Sequence, residues 1–145
     1  MTIYTKSAEE TEKVGASLAE KLHKAGRTRA FIAMRGEMGV GKTAFTRGFA
    51  SYFGISGVKS PTYTIVNEHR GTVNIYHFDM YRIDGGDDLY SIGYDDYVEA
   101  EGYCIAEWSE NIEDDIPEDA IFVTISRVES GPDERRIEIN ENTCI

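Results

Sequence analysis

The sequence has few basic residues and few cysteines, and these shortages exclude several classes of protein. Its 15 Lys and Arg face 26 Asp and Glu, which gives a formal net charge of −11. A protein that grips nucleic acid needs clustered basic side chains, so this balance argues against direct RNA or DNA binding. The two cysteines, Cys104 and Cys144, lack metal-ligand spacing, which favours reduced thiols over a metal site or a disulfide.

Long apolar runs are also missing. No stretch is long enough to cross a membrane, and residues 1–6 lack the apolar core of a secretion signal. These absences favour a cytoplasmic protein with no membrane partner. The length of 145 residues fits one domain, 1–145, that is large enough to bury a core.

A glycine-rich motif at residues 36–43 carries the strongest chemical signal in the chain. It reads G-E-M-G-V-G-K-T, which matches the G-x-x-x-x-G-K-T phosphate-binding loop of nucleoside triphosphatases. Glycines allow backbone N–H groups to turn toward phosphate oxygens, the lysine approaches the β- and γ-phosphates, and the threonine hydroxyl binds Mg²⁺. The motif predicts that the nucleotide contacts include Glu37, Met38, Gly39, Val40, Gly41, Lys42 and Thr43.

The residues around this motif have the order that a phosphate-binding loop requires. The preceding run, 30–34, is short and apolar, as a buried strand would be. In the following run, 43–53, Phe45, Phe49 and Phe53 recur at four-residue spacing, which is one face of a helix. A strand, a glycine-rich loop and a helix in this order predict a nucleotide site instead of an ordinary turn.

Other segments predict an α/β fold. Ser7 and Glu10 form a capping box that starts a helix over residues 8–25. Apolar runs and turn residues predict further elements: strands at 63–66, 73–78, 103–106, 121–125 and 136–139, a short helix at 87–92, and a hairpin turn at Gly131-Pro132. Helices mixed with strands around a phosphate loop indicate a P-loop NTPase-like three-layer sandwich with a mixed, partly parallel central sheet.

Two acidic residues directly follow predicted strands. Asp79 comes after the strand 73–78 and Glu107 after the strand 103–106. In α/β folds, side chains at the carboxyl ends of parallel strands meet beside the ligand, and Mg²⁺ prefers such hard oxygen ligands. From spacing alone, each carboxylate could instead cap the next turn.

Three further positions have open roles. The hydroxyl of Thr62, in the segment Ser60-Pro61-Thr62, could face the γ-phosphate, although an ordinary turn is the simpler interpretation. His77 shares a strand face with Asp79, yet a buried structural histidine is the more common case. Trp108 could pack in the core, stack on adenine or face a partner, and core packing ranks first.

Four segments occur together in one order and resemble one protein family. They are the loop at 36–43, S-P-T-Y-T at 60–64, Y-H-F-D-M-Y-R at 76–82 and I-A-E-W-S-E at 105–110. The phosphate loop alone is generic, but the other three segments at these separations resemble the bacterial TsaE family. The resemblance covers nearly the whole chain and is weakest over roughly its last 30 residues.

The resemblance implies an ATPase that supports synthesis of N6-threonylcarbamoyladenosine in tRNA. Members of this family bind ATP and Mg²⁺ and act on a heterodimer of TsaD and TsaB without transferring the threonylcarbamoyl group themselves. Contact with tRNA is then indirect, through that complex.

The resemblance also implies roles for individual residues. Lys42 and Thr43 become the phosphate and Mg²⁺ contacts, Glu107 the second Mg²⁺ ligand, Asp79 the catalytic or water-orienting acid, and Thr62 a switch-like catalytic threonine. Two further positions are expected near the nucleotide: Thr11 in the first helix, and an arginine of the segment 131–136, either Arg135 or Arg136.

Two other functions fit a phosphate loop. A small-molecule kinase needs an arginine-bearing lid over its acceptor, and no long arginine-rich insertion is present. A nucleotide-gated binding module, in which hydrolysis is incidental, stays open because no substrate pocket is evident. A GTPase is disfavoured since the guanine-reading motif Asn-Lys-x-Asp is absent.

Overall fold

Seven strands form one mixed sheet with helices on both of its faces. The computed structural model describes residues 1–37, 39–58 and 65–141. The strands are β1 (Thr2–Thr5), β2 (Arg29–Arg35), β3 (Val66–Arg70), β4 (Asn74–Asp79), β5 (Gly102–Glu107), β6 (Ile121–Val128) and β7 (Gly131–Glu141). The helices are α1 (Ala8–Lys24), α2 (Lys42–Tyr52), α3 (Gly86–Ser91), α4 (Tyr94–Glu99) and a 3₁₀ helix, Ser109–Asp115. None of these helices is long and apolar enough to span a membrane.

The strand order brings the carboxyl ends of the central strands together at one end of the sheet. The order is β1-β7-β6-β2-β5-β4-β3. The four central strands β6, β2, β5 and β4 run parallel, whereas β1, β7 and β3 pair antiparallel at the flanks. The carboxyl ends of β2, β4 and β5 therefore meet at one edge, which is where ligands bind in such sheets. This architecture confirms the predicted P-loop NTPase-like fold.

The sheet separates two apolar cores. Helices α1 and α2 cover one face, where Phe45 and Phe49 are fully buried, and the shorter helices cover the other face, where Phe78 is fully buried. Successive residues of β4 alternate between these cores, with Ile75 in the first and Phe78 in the second. This alternation places His77 on the α1/α2 face, because side chains two residues apart share a face.

The first helix begins as the sequence predicts, with one difference. The Ser7 hydroxyl accepts a hydrogen bond from the Glu10 N–H at 3.1 Å, which satisfies a donor of the first turn. The Glu10 carboxylate accepts from the Lys6 N–H at 3.3 Å, one residue further back than a capping box places it.

Several elements differ from the sequence-based expectation. The strand expected at 63–66 overlaps β3 only at its end, since β3 begins at Val66 and continues to Arg70; residues 63–64 lie outside the described residues. Strand β1, helix α4 and the 3₁₀ helix were not expected. The sequence of β3, Val-Asn-Glu-His-Arg, is polar because β3 is an edge strand, and a polar strand has no apolar run to reveal it.

The C-terminal hairpin is confirmed, but its predicted turn is wrong. The turn lies at residues 129–130, and Gly131 already pairs with Val128. The register between β6 and β7 shifts between Arg127 and Val128. Pro132 is tolerated inside β7 because it lies at this register irregularity, where a residue need not donate an N–H to the neighbouring strand.

Two glycines bring the backbones of α1 and α2 into contact. A Cβ atom on Gly48 would lie 1.8 Å from the Glu12 carbonyl oxygen, and one on Gly15 would lie 2.1 Å from the Phe45 carbonyl oxygen. Real Cβ atoms do not approach backbone so closely, so only glycine allows this helix pair to form. The contact holds the helix that follows the phosphate loop against the N-terminal helix.

We expect Gly48→Ala to lower the free energy of unfolding by at least about 2 kcal/mol, because the added methyl group must push α1 from α2. At a helical position with room for a methyl group, the same substitution would raise the free energy of unfolding, because alanine stabilises a helix more than glycine does. Urea unfolding measures the change. Gly86→Ala in α3 is the control because no atom lies within 4 Å of its added Cβ, and equal losses in both variants would contradict the prediction.

Candidate functional site

The glycine-rich loop joins the buried strand β2 to helix α2. Gly36 has φ +147° and Gly41 has φ +114°, a region that side chains rarely adopt. A Cβ atom on Gly36 would also lie 2.4 Å from the Ile125 carbonyl oxygen on β6. Helix α2 begins directly after the loop at Lys42, so its first N–H groups and its positive dipole end lie beside the loop. The arrangement suits a bound anion.

Lys42 is a buried cation at the centre of the site. Lys42 is only 5 % exposed, and its Nζ donates a hydrogen bond to the Gly36 carbonyl oxygen at 2.7 Å. Burial lowers the pKa of Lys42, while the negative charges of Glu107, Glu110 and Asp79 act in the opposite direction. The site therefore places one ammonium group among three acidic side chains at the carboxyl edge of the sheet.

The two acids singled out from the sequence lie side by side. Asp79 and Glu107 are register partners on the parallel strands β4 and β5. Glu107 is 6 % exposed, and its Oε2 lies 2.5 Å from Nε2 of His77. Asp79 is half-buried and its Oδ1 accepts from the Tyr81 N–H at 3.0 Å. Asp79 thus caps the following turn, as its spacing allowed, and its charge also acts on Lys42.

The oxygen donors at this edge fit Mg²⁺ better than a metal held by protein alone. Within residues 1–37, 39–58 and 65–141, no three His, Cys, Asp or Glu side chains gather as a metal site. Two of the side chains at this end of the sheet could each contribute an oxygen ligand: Thr43, in the first turn of α2, through its hydroxyl, and Glu107, at the end of β5, through its carboxylate. Mg²⁺ in nucleotide sites takes one or two protein oxygens and completes its shell with phosphate oxygens and waters.

A cavity of about 170 Å³ opens on the other side of the loop. It brings together residues that are far apart in sequence: Ser7, Ala8, Thr11, Gly39, Val40, Gly41, Ala44, Asp133 and Arg135. The Arg135 Nε donates to the Val40 carbonyl oxygen at 2.8 Å, and the hydroxyl oxygens of Thr11 and Thr5 lie 2.9 Å apart. Arg136 instead forms an ion pair with Glu138, so Arg135 is the arginine of this segment that lines the cavity.

Of the remaining predicted nucleotide-site residues, Glu37 is described by the structure and two others are not. Met38 and Thr62 lie outside the described residues. Glu37 is exposed, and its Oε2 accepts from Nη1 of Arg127 at 3.0 Å. Arg127 therefore lies against the loop, where nothing in the sequence indicated it; its position follows from its register with Arg135 across the β6–β7 hairpin.

Trp108 has a place that the sequence did not reveal. It is half-buried at the margin of the second core instead of inside it. Its ring centroid lies 4.2 Å from Nζ of Lys42 and 5.1 Å from the ring centroid of Tyr81. With φ 57°, it is the one residue other than glycine with positive φ in the described ranges. Such a conformation costs roughly 1–3 kcal/mol and clusters at functional sites. The ring stabilises the buried ammonium through its π face.

Comparison with known proteins identifies a family for this chain. Residues 5–137 match the family model "Threonylcarbamoyl adenosine biosynthesis protein TsaE". A tRNA threonylcarbamoyladenosine biosynthesis protein TsaE from Bacillus subtilis is 38% identical over 135 residues, covering 92% of this chain and 80% of that protein. The TsaE protein of Haemophilus influenzae is 38% identical over 134 residues, covering 90% of this chain and 83% of its own length.

A solved structure extends the similarity to three dimensions. The crystal structure of YdiB from Bacillus subtilis superposes with a TM-score of 0.78 at 30% identity, covering 99% of this chain and 86% of that one. Sequence and fold therefore agree over most of the chain, and the chain belongs to the TsaE family of tRNA threonylcarbamoyladenosine biosynthesis proteins.

Proposed function

We propose that this chain is a Mg²⁺-dependent ATPase that supports tRNA threonylcarbamoyladenosine synthesis by binding the TsaB–TsaD complex and hydrolysing ATP. The observation that carries the proposal is the buried Lys42 ammonium, held between the loop carbonyl of Gly36 and the charges of Asp79 and Glu107. A cation at this point can neutralise the charge that develops on a transferring phosphoryl group.

Each side chain of the site has one part in this proposal. The loop N–H groups and the start of α2 bind the phosphates, and Lys42 reaches the β- and γ-phosphates. Thr43 and Glu107 hold Mg²⁺, which neutralises phosphate charge when bound. Asp79 orients the attacking water, together with Thr62. On the far side of the loop, Thr11 and Arg135 line the cavity that receives the nucleoside end of ATP.

The turnover of ATP with and without purified TsaB and TsaD tests this function. We expect slow hydrolysis by the chain alone and faster hydrolysis with the pair, because hydrolysis is proposed to serve that protein complex and no small acceptor molecule is needed. Hydrolysis that ignores the pair would favour a nucleotide-gated binding module. Phosphate transfer to a small acceptor without phosphate release would indicate the small-molecule kinase.

We expect the isolated chain not to bind free tRNA at physiological salt. Its net charge is −11, and many basic side chains are already paired with acids: Lys21, Lys24, Arg47, Arg70, Arg127 and Arg136. Binding to several phosphates needs an unneutralised basic patch. Fluorescence anisotropy with labelled tRNA, with the TsaB–TsaD pair as positive control, measures this. A tight complex with a steep salt dependence would overturn the prediction and the indirect role of tRNA.

A further inference from the structure

His77 is a buried polar residue in a strand whose other buried residues are apolar or aromatic. It is 0 % exposed in the middle of β4, between the buried residues Tyr76 and Phe78. Burying an imidazole costs free energy unless its nitrogen atoms are hydrogen-bonded. One nitrogen, Nε2, meets Oε2 of Glu107 at 2.5 Å, whereas Nδ1 has no hydrogen-bond partner among the described residues. The contact with Glu107 is therefore the interaction that offsets the cost of burying the His77 ring.

The unpaired nitrogen identifies the direction of that contact. A neutral imidazole carries one N–H and one lone pair, and a carboxylate only accepts hydrogen bonds. Nε2 must therefore donate to Glu107, which leaves the lone pair on Nδ1. A buried lone pair without a partner is tolerated better than a buried N–H without one. The tautomer with Nε2–H satisfies both observations and makes a charge-assisted hydrogen bond.

Glu107 needs such a bond because it must be held in one orientation. It is 6 % exposed and follows directly on the buried residues of β5. With Oε2 engaged by His77, its other oxygen, Oε1, remains for a ligand. Residues that orient metal-binding side chains from behind are a regular part of metal sites.

We propose that His77 is a positioning residue, which fixes the Glu107 carboxylate so that Oε1 can bind the Mg²⁺ of the bound nucleotide. This inference rests on the proposed function, in which Glu107 is a Mg²⁺ ligand. It adds a residue that touches neither nucleotide nor metal. Since His77 lies in the core, its contribution to stability must be separated from its contribution to metal binding.

Two amide substitutions provide a matched pair. In His77→Gln the side-chain amide nitrogen can occupy the place of Nε2, so the donor to Glu107 is kept. In His77→Asn the amide is one carbon shorter and falls near the place of Nδ1, so the donor is lost although the chemistry is the same. Both variants remove the ring, and a purely structural role would therefore affect both.

The measurement is the Mg²⁺ concentration that half-saturates binding of a non-hydrolysable ATP analogue, with ADP affinity in EDTA as the metal-free reference. We expect His77→Asn to raise that concentration about tenfold or more, while His77→Gln stays close to the wild-type value. Affinity for ADP in EDTA should be unchanged in both variants, because His77 is buried and is proposed to act only through the metal ligand Glu107. In a Glu107→Gln background, the additional effect of His77→Asn should disappear.

Two results would contradict the inference, and a third would contradict the proposed function on which it rests. Equal Mg²⁺ dependence in the wild type and in folded His77→Asn would overturn it. If His77→Asn does not fold, as far-UV circular dichroism would report, His77→Gln decides alone: metal binding as weak as that of Glu107→Gln would also overturn it. A wild-type protein that binds the analogue without regard to Mg²⁺ would instead overturn the proposed function itself.

Discussion

Replacing Lys42 with alanine should reduce ATP hydrolysis by about 10²–10³-fold or more, the cost of removing one group that stabilises transition-state charge. The ammonium donates to the Gly36 carbonyl oxygen of the glycine-rich loop, and the negative charges of Glu107 and Asp79 act on it from the ends of the neighbouring strands. Single-turnover measurements of phosphate release, made at saturating ATP and Mg²⁺, report the chemical step.

The control must account for the burial of Lys42. Because the residue is only 5 % exposed and its ammonium lies under the Trp108 ring, alanine also removes packing. Lys42→Met keeps most of the side-chain volume and loses the charge. We expect both variants to lose hydrolysis equally, with Lys42→Met closer to the wild type in thermal unfolding. Undiminished hydrolysis in either folded variant would refute the phosphate-loop assignment.

The second large effect separates the two acids at the sheet edge. Asp79→Asn should leave nucleotide affinity nearly intact and slow hydrolysis by about 10²-fold or more, because a neutral amide holds the attacking water less firmly than a carboxylate does. Glu107→Gln should instead weaken Mg²⁺-dependent nucleotide binding, since an amide is a poorer ligand than a carboxylate.

Calorimetric titration with an ATP analogue and single-turnover kinetics, applied to both variants, distinguish binding from chemistry. Each substitution is nearly isosteric, so the capping bond from the Tyr81 N–H to position 79 is retained in Asp79→Asn. The opposite pattern, with binding lost in Asp79→Asn and chemistry lost in Glu107→Gln, would mean that the two roles are exchanged.

The parts of this fold that the sequence predicts are those with local signals. Helices α1 and α2 have apolar stripes, and the central strands are apolar runs because both faces of the sheet are covered. Strand β1 has no such signal: of its four residues only Thr5 is buried, and it is a strand because it pairs with residues 135–138 of β7. No local pattern encodes a partner that far along the chain.

The site divides in the same way. Lys42 and Thr43 follow from a motif whose spacing is fixed by local backbone geometry, and Asp79 and Glu107 follow from strand ends. By contrast, the contact between Trp108 and Lys42 depends on a left-handed backbone conformation that no residue preference indicates. The positions of Arg127 and Arg135 depend on the register of a hairpin, which the sequence predicted with a misplaced turn.

The place of β1 in the sheet has a consequence for the biosynthesis of this protein. Within the described residues its sheet neighbour is β7, so residues 2–5 must wait until residues 135–138 have been made before they can pair. Such sequence-distant pairing is slow to form because a long loop must close first. Thr5, at the end of β1, contacts Thr11 beside the phosphate loop. The nascent chain can thus form the glycine-rich loop early, but the cavity beside it, which Arg135 of β7 also lines, is completed only after β7 has been synthesised.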